Sequence, residues 1–116
     1  MPPEAGRYAA LTRALQDAVL GPGRGTATAP ALRQAVEARA ASLGGRGGPR
    51  PEVPPELARF VDRVAQRATE VTDDDVQALQ RAGYSEQAIF ELTASAALGA
   101  GMARLERGLA ALRGTA

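Results

Sequence analysis

Three consecutive carboxylates, Asp73-Asp74-Asp75, are the densest set of metal-ligating side chains in this sequence. Hard cations such as magnesium and calcium are held by oxygens of this kind. A calcium loop also needs acids at alternating positions and a distal Glu, and this run has neither. Thr72 precedes the triplet, and a Thr with a carboxylate three residues on is a short version of the box that caps a helix start. Acids in a first turn also match the positive end of the helix dipole. The triplet therefore reads as a cap rather than a metal site. Three other groups are candidates for chemistry. Glu91 lies in the most apolar part of the chain and becomes a general base if burial desolvates it. Its alternative is a carboxylate facing solvent or paired with Arg. Tyr84 is placed to orient a ligand, unless its ring simply packs. Glu37, with Arg33 or Arg39, makes a third polar candidate.

What is missing narrows the chemistry further. The 116 residues include no Cys and no His. Disulfides, thiol catalysis and zinc sites of the Cys type are excluded, and no Ser has a His to activate it. The Gly-rich stretch 21–28, GPGRGTAT, lacks the GxxxxGK[ST] pattern and has no strand before it, so it reads as a connector and not a phosphate cradle. No cofactor is implied. All 14 basic residues are Arg, and against 13 acids they leave a net charge of +1. That balance gives no attraction for nucleic acid in bulk. The charge is uneven along the chain: residues 1–50 carry seven Arg and three acids, whereas residues 51–116 carry seven Arg and ten acids. This is either a mixed solvated surface or charge complementarity between subunits. The start Met1-Pro2-Pro3-Glu4 is not a secretory signal, and the longest uncharged run, 92–103, is too short to span a bilayer. A soluble, cytoplasmic protein with no membrane association is expected.

The elements that position these groups are helices. Tyr8, Leu11, Leu15 and Val19 recur at helical steps, predicting a first helix from Pro3 or Glu4 to Leu20, stopped by Gly21-Pro22-Gly23. Thr28 is the expected cap of a second helix, with Pro30 in its first turn. Leu32, Val36 and Leu43 mark the apolar face of that helix, and Arg39 interrupts it. Half burial is expected, with Arg33 and Glu37 facing out, until Gly44-Gly45 ends the helix. Residues 44–55, GGRGGPRPEVPP, read as a linker dividing a helical pair at 1–43 from a core at 56–113. The third helix, from Pro55 to about Val71, has the best periodicity, with Leu57, Phe60, Val61 and Val64 on one stripe. The fourth opens at the Thr72 cap and ends at Gly83. Ser85 caps a fifth, long helix from Glu86 to about Leu112. Its first half is apolar on more than one side, which predicts burial all round, Phe90 included. Its second half narrows to Leu105, Leu109 and Leu112. The fold class is all-α, five helices in a single domain.

Ser95, Gly99 and Ala103 are spaced by four, so another backbone can approach along that edge of the fifth helix. Gly99 and Gly101 each lower helix propensity by about 1 kcal/mol, which suggests close packing there, either inside the domain or between subunits. With Met102, these residues are the candidates for a subunit contact.

The run Val71-Thr72-Asp73-Asp74-Asp75-Val76, then Leu79, Ala82-Gly83-Tyr84-Ser85, Glu86, Ile89 and Glu91-Leu92, resembles the alkylhydroperoxidase D-like, or carboxymuconolactone decarboxylase-like, superfamily. The resemblance covers about residues 53–112. It implies an all-helical fold that assembles as trimers or hexamers through long helices. It does not carry the superfamily's chemistry, because the Cys-x-x-Cys-x-x-x-His motif of its peroxidases and the His of its decarboxylases have no counterpart here. Residues 29–50 offer Arg33, Glu37, Arg39 and Ser42 instead. The expectation is a homo-oligomeric scaffold, binding module or subunit with a possible protein partner. The alternative is a small-molecule enzyme built on Glu, Tyr and Arg.

Overall fold

The fifth helix is the axis on which the other elements pack. The computed structural model describes residues 3–23 and 25–114, with the side chains of residues 3–5, 7 and 8 excepted; the expected place of Tyr8 on an apolar stripe lies outside them. Among the described residues there are five α-helices and no strand: α1 (Pro3–Leu20), α2 (Pro30–Ala41), α3 (Pro55–Arg67), α4 (Asp73–Arg81) and α5 (Glu86–Leu112). A π-type turn, Ser42–Arg46, extends α2, and a 3₁₀ turn, Ala68–Glu70, follows α3.

The N-terminus of α2 differs from expectation. Ala29, not Thr28, occupies the cap position, and its side chain can accept no hydrogen bond. Pro30 has no N–H to satisfy, which lowers the demand for a cap. Thr28 is thereby released for another task. Helix α2 is also more buried than its interrupted stripe suggests. Arg33 and Glu37 are both buried rather than outward-facing. Arg39, the interruption, donates to both carboxylate oxygens of Asp62 on α3 at 2.7 and 2.9 Å and to the Pro51 carbonyl at 3.2 Å. The charge does not exclude α2 from the interior, because the interior supplies a forked acceptor.

Helices α2 and α5 run in the same direction. Thr28 meets Glu91 at one end, the Glu37 backbone crosses at Gly99, and Arg46 reaches Glu106 at the other end. At the crossing, a Cβ on Gly99 would sit 2.1 Å from the Glu37 carbonyl oxygen, so only glycine allows this approach. The 44–55 segment touches the core near both its ends. Gly44 lies against Ala100 and Ala103, and Val53 packs on the core. Gly45, at φ 115, supplies the left-handed residue that closes the π-type turn.

Helix α3 ends at Arg67, earlier than its pattern predicts, and Val71 reaches the core from extended backbone instead. The α4 start is as its sequence predicts. The Asp75 carboxylate accepts from the Thr72 backbone N–H at 2.9 Å and the Thr72 hydroxyl at 3.2 Å. At the other end Gly83 takes φ 103, its N–H bonds the Gln80 carbonyl, and the Tyr84 N–H bonds the Leu79 carbonyl. This pairing is a Schellman motif, which satisfies the last carbonyls of a helix around a left-handed glycine. Ser85 then caps α5, accepting from the Ala88 N–H at 3.1 Å.

The core gathers Val36 and Ala40 from α2, Leu57, Phe60 and Val61 from α3, Leu79 from α4, and Ile89, Leu92, Ala96 and Ala100 from α5. Two expectations of burial fail. Phe90 is 68% exposed, and Leu105, Leu109 and Leu112 also face solvent, as do Leu11 and Leu15 on α1. The apolar excess of α5 covers more of its circumference than the other four helices occupy. No helix among the described residues is long and apolar enough to cross a membrane.

Candidate functional site

Glu91 is the most heavily engaged side chain of the expected site residues. It sits on the second turn of α5, where the 26–29 segment folds over it. The Ala27 and Thr28 backbone N–H groups donate to its two oxygens at 2.8 and 3.0 Å, and the Thr28 hydroxyl donates at 2.6 Å. Gln87, one turn back, adds a bond at 3.0 Å, and the Arg33 guanidinium lies 3.7 Å away. Burial alone would push the carboxyl up. The Thr28 hydroxyl, the Ala27 N–H and Gln87 outweigh it and hold Glu91 at about 2. A carboxylate so stabilised is a poor proton acceptor at neutral pH. The desolvation that favours a general base is present, but donors surround the charge.

Arg33 completes the same cluster from α2. Its Nε donates to the Val19 carbonyl at 3.1 Å, and its terminal nitrogens reach the Gly21 and Thr28 carbonyls and the Thr28 hydroxyl. Val19 and Gly21 stand at the C-terminal end of α1, where helix carbonyls lack partners within the helix. One buried guanidinium thus caps α1, holds the connector and faces the Glu91 charge. Sequence reasoning missed this role for Arg33 and Thr28. Neither periodicity nor spacing pairs residue 28 with residue 91.

The remaining candidates lie in other surroundings. Glu37 is buried and accepts from Arg46 at 3.3 Å, while Arg46 also pairs with Glu106 at 2.8 Å. It does not pair with Arg33 or Arg39. Tyr84 is half-buried against the core, and burial, with the Glu56 charge adding to it, raises its hydroxyl pKa. Asp75 is bound by Thr72 and by Arg63 at 2.9 Å. The Thr72 N–H, ahead of the Arg63 guanidinium, holds its carboxyl below the usual range. Glu91, Glu37 and Tyr84 each keep a different set of partners, and no shared bond joins them into one site. Among the described residues, no group of three or more acidic side chains is placed to hold a metal ion.

Of the two readings of the small-residue edge on α5, the structure shows packing inside the domain. Ser95, Gly99, Met102 and Ala103 are all buried inside the chain. The edge they form receives α2 at Gly99 and the π-type turn at Ala103. Glu91 and Arg33 tie α5, α2 and the end of α1 together, and the small residues of α5 let α2 approach. Compared with known proteins, the chain matches no family model, no curated protein and no solved structure.

Proposed function

We propose that this protein is a non-catalytic helical interaction module of the cytoplasm that works as a homo-oligomer. One observation carries the reading. Six large apolar side chains, Leu11, Leu15, Phe90, Leu105, Leu109 and Leu112, stand between 36% and 85% exposed on two helices. Scattered exposed leucines need no explanation, but apolar residues aligned along a helix mark a surface that another molecule covers. The polar groups argue in the same direction. Glu91 and Arg33, the strongest candidates for chemistry, are committed to each other and to the 26–29 segment. Assembly of the kind implied by the resemblance of residues 53–112 to the alkylhydroperoxidase D-like superfamily, as trimers or hexamers, is in keeping with this surface. That superfamily's thiol chemistry is not part of the proposal, since the chain has no Cys. Light scattering on protein eluting from a size-exclusion column is the test. A mass of two or more chains at micromolar concentration is expected. A single-chain mass at every concentration up to the solubility limit overturns the reading.

A further inference from the structure

The outward face of α5 has a regularity of its own. At 100° per residue, Phe90, Ala94, Ala97, Gly101, Leu105, Gly108 and Leu112 fall within an arc of about 80°. None is charged, and the face extends for about 33 Å at 1.5 Å per residue. Phe90, Leu105 and Leu112 are 68%, 42% and 85% exposed. Ala97, Gly101 and Gly108 are exposed as well, and a Cβ built on either glycine meets nothing within 4 Å. Among the described residues nothing lies over its centre at Gly101, and Ala94 is half-buried.

The spacing reads the same from either end. The steps from Phe90 to Leu112 are four, three, four, four, three and four, with Gly101 at the middle. Two such helices laid antiparallel with their Gly101 residues together match position for position. Phe90 then meets Leu112 of the second copy, Ala94 meets its Gly108, and Ala97 meets its Leu105. Phe90 and Leu112 lie at the two ends, Gly101 lies at the centre, where two backbones must come closest, and Leu105 of each copy packs over Ala97 of the other. A contact that pairs i with j and j with i is the requirement of a two-fold interface.

Charge selects the antiparallel arrangement. The first turn of α5 carries Glu86 and no base, whereas its C-terminal half carries Arg104 and Arg107 against Glu106, and Arg113 follows as its C-cap; Arg104 also donates to the Ala65 carbonyl at 2.7 Å. Glu106 is already paired with Arg46. Antiparallel pairing brings the basic end of each helix over the acidic end of the other, and it opposes the two helix dipoles. A parallel pair would set Arg over Arg and Glu over Glu.

We infer that the outward face of α5 is a two-fold, antiparallel docking surface for a second copy of this chain, centred on Gly101. The inference rests on the self-association reading above and assigns it a geometry. It is compatible with a dimer or with a hexamer of paired trimers, and not with an isolated trimer.

The absence of Cys makes cross-linking decisive. Gly101→Cys under a mild oxidant is expected to give a disulfide-linked dimer, since two residues on the axis face each other at the range a disulfide needs. Ala97→Cys and Leu105→Cys are each expected to stay uncross-linked alone and to link when mixed. Gly101→Arg is expected to raise the self-dissociation constant at least about tenfold with unchanged helical circular dichroism. Self-linking of Ala97→Cys as efficient as that of Gly101→Cys would mean a parallel pair and overturn the inference. Multimers by light scattering, with none of the three single-Cys variants linking, would sink the inference and leave the self-association reading standing. A monomer throughout removes both.

Discussion

Gly99 and Gly101 stand two residues apart on one helix and face opposite worlds. Gly99 points inward, where the Glu37 carbonyl of α2 leaves no room for a Cβ. Gly101 points outward into open space. The same residue type, at the same nominal loss of helix propensity, is required by the folded chain at one position and unconstrained by it at the other. The propensity argument alone treats them as equals. What separates them is whether a second backbone lies across the glycine, and for Gly101 the chain itself provides none.

The sharpest way to break this contrast is Gly99→Ala. The new methyl must displace the α2 backbone, because the atom it meets is a carbonyl and not the end of a flexible side chain. Overpacking of this kind costs about 3 kcal/mol, more than the roughly 1 kcal/mol that alanine gains in a helix. Chemical denaturation should show a large net loss of stability, and the Glu91 cluster should loosen with it, since α2 bridges the two. A midpoint equal to or above that of the wild type would mean that α2 does not cross α5 at this point.

A second, smaller effect comes from the polar end of the same α2–α5 contact. Replacing Glu91 by Gln removes the charge that Arg33, Thr28 and the Ala27 N–H surround, and sets an amide N–H₂ against backbone donors. A loss of about 2 kcal/mol at pH 7 is expected, the scale of hydrogen bonds to a charged group. The pH dependence gives a separate readout. The folded carboxyl is held at about 2, below its ordinary 4.5. The unfolded chain therefore takes up the proton first as the pH falls. The stability contributed by Glu91 is complete above about 4.5 and is lost progressively as the pH drops towards about 2. Denaturation midpoints measured through this window should fall more steeply for the wild type than for Glu91→Gln. Parallel curves would show that the carboxylate gains nothing from its donors.

How much of this was legible beforehand follows the range of the interactions. The caps at Thr72 and Ser85, the left-handed Gly83 and the five helices all depend on residues a few positions apart, and the sequence states them directly. The stripe of α3 could also be read, because Leu57, Phe60 and Val61 face a single partner surface. Arg33 and Glu37 were misplaced because burial of a charge depends on a partner that periodicity does not reveal. For Arg33 the partners lie at Val19, Gly21 and Glu91. The long α5 misled for a different reason. Its apolar residues outnumber what one inward face needs, and the pattern alone cannot say which of two apolar faces the chain itself will cover. The edge at Ser95, Gly99 and Ala103 reads as a close-packing surface for another element or another subunit, and α2 fills it. The face at Phe90 to Leu112 reads as interior, whereas it is open.

The smallest expected effect tests the comparison from its other side. Gly101→Ala adds the same methyl as Gly99→Ala, but nothing lies within 4 Å of it. Within one chain the substitution should stabilise, by up to about 1 kcal/mol, because alanine loses less backbone freedom on folding. Between two chains it should do the reverse, since the closest approach of the paired helices is now padded by two methyl groups. The two effects separate with concentration. Self-association raises the melting temperature as protein concentration rises, because only the folded chain binds its copy. At high dilution Gly101→Ala should therefore melt above the wild type, and with increasing concentration the wild type should close the gap. A gap that stays constant over a hundredfold range would mean that Gly101 contacts no second chain. A gap of opposite sign at high dilution would mean that residue 101 is packed within its own chain after all, and the distinction between the two glycines would be lost.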